Sequence, residues 1–294
     1  MDSNTIALVA ITLFAATVNG ALGYGFSSLT VPVALLFLTN RVLNPALVPI
    51  EVVLNSYVLW VNRASLPSVW RRVLPIVIAL VPGVIVGTLL VSQVNPGSLK
   101  FGTYVVLLPL ILMQAAGFRR PIRAERSAGL AFGAGLGVLY AVTTISGPPL
   151  AVALSNQGLA KQEFRAALGF IRLAESSLTA IAYASAGLYS RESFALIPYI
   201  LPSLAIGVPI GSALIRHIQP ETFRRVCMSF DAWVVAFGIS GLLRDFKIVT
   251  GGSAYLFLLA VVIFDVWLLY RFFSTLPRES VPAYVAPSVA SPRD

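Results

Sequence analysis

Two polar, glycine-containing stretches interrupt otherwise apolar segments of this chain, and they hold most of the groups that could bind a solute. The first reads Asn19-Gly20-Ala21-Leu22-Gly23-Tyr24-Gly25-Phe26-Ser27-Ser28 and continues Leu29-Thr30-Val31-Pro32; the second reads Thr143-Thr144-Ile145-Ser146-Gly147-Pro148-Pro149. A helix broken there exposes free N–H groups and the positive dipole end of its second half, both of which attract an anion. The second halves, 29–38 and 150–156, would aim those ends at the solute. Asn19 and the hydroxyls of Ser27, Ser28, Thr30, Thr143, Thr144 and Ser146 would donate beside them. Gly23, Gly25 and Gly147 let backbone approach closely, and Pro32, Pro148 and Pro149 enforce the break. The bland alternative is an ordinary pair of kinks filled by small residues.

Arg172 is the one cation left inside an apolar segment, and an intramembrane ion marks a functional site by default. Glu175 lies at i+3 on the same helical face. A buried Arg172–Glu175 pair serving only helix packing is the competing reading. At an offset of 117 residues Arg172 falls on Asn55, and Glu51 sits one turn before Asn55. Glu51 is therefore either a proton-coupling carboxylate or the distant partner of Arg172, with simple structural pairing equally open. Asp231 and Asp265 also lie within apolar segments, away from the breaks, and read as structural. Cys227 and His217 carry no pattern.

The elements that must position these groups are membrane spans. Hydrophobic residues make up 57% of the chain and charged residues 11%, against about 25% charged in a soluble domain. Mean hydropathy is +0.85. Apolar elements fall near 5–38, 43–62, 73–93, 98–117, 128–156, 163–188, 193–216, 221–243 and 252–272. The first would be about 51 Å long as a straight helix at 1.5 Å per residue, against a hydrocarbon core of roughly 30 Å. Two half-length helices meeting at the break fit better. Unwound backbone at that depth survives only where protein or a polar cavity covers it, and paired breaks in two halves point to a transporter's binding site.

The chain repeats. Gly83-x3-Gly87-Thr88 … Pro96 … Lys100 matches Gly207-x3-Gly211-Ser212 … Pro220 … Arg224 at an offset of 124, and Pro32 aligns with Pro149. The predicted fold is thus an all-α polytopic membrane protein: one transmembrane domain, 1–274, with repeats at 5–117 and 128–243. Each repeat has a broken or re-entrant helix plus three spanning helices, and one extra C-terminal helix follows at 252–272. Residues 275–294, rich in Pro and Ser, read as a disordered tail. Gly83-x3-Gly87, Gly207-x3-Gly211 and Gly129-x3-Gly133-x3-Gly137 read as small-residue packing faces.

Charge separates two topologies. If all nine elements cross, the loop cations split evenly. If the first and fifth are re-entrant, one side collects Arg63, Arg71, Arg72, Arg119, Arg120, Arg123, Arg126, Lys161, Arg165, Arg216, Arg224, Arg225, Arg271, Arg278 and Arg293. The other side keeps Arg41, Lys100, Arg191, Arg244 and Lys247. Fifteen against five is what the positive-inside rule expects. The N-terminus is then outside and the C-terminus cytoplasmic, and the halves are inverted repeats. The N-terminus has no cationic n-region and reads as a retained membrane segment rather than a cleaved signal.

The net charge of +9 serves this orientation rather than nucleic acid. One Cys and one His argue against a disulfide framework or a metal site. No His-Glu-x-x-His, Gly-x-Ser-x-Gly or GxxxxGK[ST] run is present, so the chain does not read as an enzyme or an ATP-driven pump. No cofactor is expected.

The second break and its sequel, Gly147-Pro148-Pro149-Leu150 leading to Gly158-Leu159-Ala160-Lys161-Gln162-Glu163-Phe164-Arg165-Ala166-Ala167-Leu168, resemble the signature of the sulfite exporter family, TauE/SafE. Gly20 … Gly23-Tyr24-Gly25-Phe26 … Val31-Pro32 is a degenerate first copy, with Ser27 and Ser28 where the family commonly has glycine. The resemblance spans nearly all of 5–243. It implies two tandem membrane repeats and secondary transport, in a bacterial inner membrane, of sulfite, sulfoacetate, related sulfonates or other organic anions. Together these readings predict alternating-access transport of a small anion, with backbone N–H groups, hydroxyls and Arg172 at mid-bilayer and Glu51, Asn55 or Glu175 on the pathway. Lipid is the surrounding partner. Proton or sodium coupling and a homo-oligomer are compatible with the sequence. The rival readings are a permease or channel for another solute or a cation, with Arg172 structural, and a membrane enzyme or assembly partner that transports nothing.

Overall fold

The computed structural model describes residues 3–116, 125–155, 159–214, 217, 220–249 and 251–275. These form eleven α-helices and no strand: α1 (Ser3–Leu22), α2 (Phe26–Ala34), α3 (Asn40–Val61), α4 (Leu66–Gln93), α5 (Pro96–Ala115), α6 (Glu125–Thr143), α7 (Gly147–Ser155), α8 (Lys161–Ser185), α9 (Arg191–Leu214), α10 (Pro220–Asp245) and α11 (Tyr255–Thr275). The nine expected apolar elements are present, and the first and fifth are each divided in two. Residues 276–294, Asn156 and the cations at 119, 120, 123, 216, 278 and 293 lie outside the described residues.

The divisions are unequal. α1 has 20 residues and α2 nine; α6 has 19 and α7 nine. The expected pair of half-length helices is corrected to a long arm followed by a short one. Each short arm starts three residues earlier than expected, at Phe26 and Gly147. The break sits where the backbone turns left-handed: Gly23 and Gly25 have φ of 83° and 108°, and Thr144 has φ of 55°. Glycine reaches these angles without a Cβ clash, whereas threonine does so at a cost. Pro32 lies inside α2 and so does not enforce the first break. Pro149 lies in the first turn of α7, where a missing N–H costs nothing. Pro148 occupies the same turn, and its side chain lies outside the described set.

Among the described residues, seven helices are long and apolar enough to cross a membrane: α1, α3, α4, α5, α9, α10 and α11. α8 is not among them despite its 25 residues, because Arg172, Glu175, Ser176 and Thr179 turn a polar face inward and are buried there. Large apolar side chains stand exposed on the outside, among them Ile78, Ile85 and Leu89 on α4, Ile206 and Ile210 on α9, and Leu259 and Ile263 on α11. An exposed apolar surface of this extent fits lipid, not water.

The small-residue faces pack as expected, but across the halves. A Cβ on Gly83 would collide with the Ala134 carbonyl, and one on Gly133 with the Ile76 carbonyl, so α4 and α6 lie backbone to backbone and run in the same direction. A Cβ on Gly211 would strike the Thr17 carbonyl, and one on Gly207 Ala16, so α1 and α9 do likewise. α3 and α8 run antiparallel, with Asn55 beside Arg172 and Leu59 beside Gly169. These directions place the starts of α1, α3 and α9 at one end of the bundle. The starts of α4, α6 and α8 lie at the other.

One expectation about charge is corrected. Arg172 is not the only cation buried in a helix. Arg225, expected at the end of its element, is 3% exposed on α10 and pairs with Asp265 of α11 at 2.8 Å. The Trp233 indole also donates to Asp265, at 3.1 Å. This contact gives the structural reading of Asp265 a concrete form: it fastens the extra helix to the bundle.

Candidate functional site

Where the two broken helices approach each other, their links touch: a Cβ on Gly147 would lie 3.4 Å from the Tyr24 side chain. Around this junction gathers a polar cluster inside an apolar bundle. Glu51, fully buried on α3, accepts three side-chain hydrogen bonds. Ser27 in the first turn of α2 donates from 2.5 Å, Tyr140 of α6 from 2.7 Å, and Arg172 of α8 from 3.1 Å. Three donors on one carboxylate, one of them a guanidinium, form a charge-assisted arrangement.

The expected alternatives for Arg172 resolve toward the distant partner. Its ion pair is with Glu51, from the other half of the chain. Glu175, also fully buried, instead accepts from the Ser146 hydroxyl at the second link. Its Oε2 has no hydrogen-bond partner, and neither does the Arg172 Nε. Each link thus places one serine on one buried carboxylate of the following long helix. Asn55 donates to the Arg172 carbonyl at 3.4 Å, a long contact that orients the backbone rather than the guanidinium.

The remaining residues singled out in the sequence divide into two groups. Thr143 and Thr144 serve their own link. The Thr143 hydroxyl donates to the Leu139 carbonyl at 2.7 Å and accepts from Ile145 N–H at 3.0 Å, and Thr144 donates to the Thr143 carbonyl at 2.7 Å. Those hydroxyls are engaged by backbone. Pro32 contributes its carbonyl, which accepts from Tyr104 at 2.9 Å. By contrast, the Asn19 Nδ2 and Thr30 Oγ1 are buried without partners, and Ser28 faces α10.

Tyr140 is the member that sequence reasoning missed. The usable signal is an isolated hydroxyl-bearing aromatic one turn before Thr143–Thr144, in a helix otherwise lined with glycine and alanine. Asn40 and Asn44 were missed as well. Both donate to the Val142 carbonyl, at 3.2 and 2.6 Å, and so cap the end of α6 where it unwinds.

An open cavity of about 300 Å³ leads from the end of the bundle where α3 and α9 finish to the first link. Asn19, Gly20 and Gly23 lie at its inner end, with Leu54 and Leu168 on its walls; Arg165, Asn62 and Ser212 add polar groups. The cavity walls do not include Ser27, Glu51, Tyr140 or Arg172; the cluster itself, a buried guanidinium with hydroxyl and phenol donors, has the groups to hold an oxyanion in place of the carboxylate.

No curated protein and no solved structure gives a significant match to this chain. The family model described as sulfite exporter TauE/SafE matches residues 8–239, which include both links, the Glu51–Arg172 pair and Glu175. The chain therefore belongs to the sulfite exporter TauE/SafE family, a family of membrane transporters.

Proposed function

We propose that the protein is a secondary transporter of a small anion, a sulfur oxyanion, a sulfonate or a related organic anion, working by alternating access. The observation that carries this reading is the Glu51–Arg172 ion pair, buried where the two links meet and built from both halves. In the described state Glu51 occupies Arg172, Ser27 and Tyr140. A substrate oxyanion would take its place on those donors. A proton on Glu51 or Glu175 would keep the exchange neutral, since two carboxylates and an added anion cannot all stay ionised around one guanidinium at low dielectric.

Helix directions support re-entrant hairpins and inverted repeats. The first broken helix and α3 start at the same end of the bundle, and the second broken helix and α8 start at the opposite end. Aromatic–cation contacts mark both interfaces, with Arg244 6.0 Å from the Tyr255 ring at one end and three contacts where α3 and α11 finish. Arg63 lies 4.9 Å from the Trp60 ring, Arg71 5.4 Å from Trp70 and Arg271 5.8 Å from Trp267, as interfacial anchors do. A bacterial inner membrane, with the N-terminus outside, fits this reading.

The test is uptake of labelled sulfite and of a sulfonate into proteoliposomes. Arg172→Ala should lower flux per folded, reconstituted protein at least about tenfold, equivalent to about 1.4 kcal/mol, beyond the loss of stability that stranding Glu51 brings. Unaltered uptake removes Arg172 from the site. Counterflow driven by cations but not by anions would instead favour a cation permease in which Arg172 is structural.

A further inference from the structure

Asp231 belongs to neither serine–carboxylate pair, yet it stands against the first link. It lies midway along α10, is 4% exposed, and its Oδ1 has no hydrogen-bond partner. It lines a small, half-open cavity of about 30 Å³, room enough for water. The other walls are Val18 and Leu22 at the end of α1, Tyr24 and Gly25 in the link, Ser28 and Leu29 at the start of α2, Ile111 on α5, and Arg224, Cys227 and Met228 on α10. The unwound link itself therefore forms one side of the cavity.

We propose that Asp231 is a proton-binding residue that couples the first hairpin to the proton gradient; this rests on the transport reading above and extends it. A carboxylate in a membrane interior is costly unless it is neutralised. The cavity wall selects the neutralising species. Hard metal cations ask for about six oxygen ligands, whereas this wall offers one carboxylate and one serine hydroxyl beside the Arg224 guanidinium. A proton needs only the carboxylate. The titratable and charged side chains on the cavity are Tyr24, Arg224 and Cys227, while α1, α2 and α5 contribute Val18, Leu22, Ser28, Leu29 and Ile111. From α11, Asp265 is engaged by Arg225 and Trp233 on another flank.

The coupling follows from what the proton does. Bound, it leaves a neutral acid that fits a small, mostly apolar space beside the link. Released to water, it leaves an anion between the carbonyl end of α1, whose partial charge is negative, and the N-terminal end of α2, whose partial charge is positive. The change in charge pushes on the end of α1 and pulls on the start of α2, and so acts directly on Tyr24–Gly25 between them, where Tyr24 already touches Gly147 of the second link. Proton occupancy at Asp231 thereby biases the position of the first hairpin while the substrate sits elsewhere, on Arg172.

The experiment compares wild type with the near-isosteric Asp231→Asn in proteoliposomes. Accumulation driven by a pH gradient should fall at least tenfold, whereas anion self-exchange at equal pH should stay within twofold. Infrared difference spectra between acid and alkaline pH should show loss of a protonated-carboxyl band in wild type that Asp231→Asn lacks. Full gradient-driven accumulation by the variant overturns the inference, and so do identical difference spectra. Loss of exchange together with a lowered melting temperature shows a structural role and also overturns it. If wild-type protein carries no anion at all, the transport reading fails and the infrared comparison alone decides Asp231.

Discussion

The two links do the same job by different means. The first turns on Gly23 and Gly25, both at positive φ. Its backbone bonds are Gly23 N–H to the Asn19 carbonyl at 2.7 Å and Leu29 N–H to the Gly25 carbonyl at 3.2 Å, and it borders the larger cavity on one side and the Asp231 cavity on the other. The second turns on Thr144, a non-glycine residue at positive φ, and ties itself with the hydroxyls of Thr143 and Thr144. Glycine makes the first turn sterically free, and its short arm is tied by the Ser27 hydroxyl to Glu51 rather than by hydroxyls of the link itself. Side-chain bonds offset strain in the second and hold it in one shape.

The largest effect should come from the shared cluster, which treats both hairpins alike. Glu51→Ala strands a buried guanidinium, and breaking a buried pair from one side costs about 3–5 kcal/mol. Thermal unfolding in detergent should show a large drop in Tm, and transport should vanish. A variant that melts and transports like wild type would mean that the two halves do not depend on this pair.

The contrast between the links is sharpened by exchanging their chemistry. Gly25→Ala puts a Cβ on a residue at φ 108°, 3.3 Å from Val18, at a cost of about 1–3 kcal/mol. Thr144→Gly relieves the left-handed backbone but loses one hydroxyl bond worth about 1 kcal/mol, so the two terms nearly cancel. Melting curves should rank Gly25→Ala well below Thr144→Gly, and equal losses would dissolve the distinction. The smallest effect is expected at the rim of the open cavity. Arg165→Gln should raise KM a few-fold with little change in maximal rate, and more so at low salt, because a rim charge steers anions without holding them. A KM unaffected by the substitution and by salt would place the route elsewhere.

Much of this was legible in the chain. Lipid demands long apolar runs and forbids loose backbone, so hydropathy alone marked the nine elements, the extra helix and the positions of both breaks to within a few residues. The glycine stripes announced close helix contacts for the same reason. Break edges were less clear, because Pro32 looks like a terminator in one dimension and is accommodated inside α2.

What the sequence determined by itself, then, is everything set by the solvent around each segment: class, spans, breaks and the buried Arg172. Tertiary structure alone decided which groups meet. Glu175 is Arg172's neighbour along the helix, yet Glu51 takes the ion pair, because α3 lies antiparallel to α8 and brings its carboxylate within reach. Tyr140, the fastening of Arg225 to Asp265, and the solitary Asp231 beside the first link follow from the same rule. Hydropathy is a property of one helix, whereas partner choice depends on the register between two.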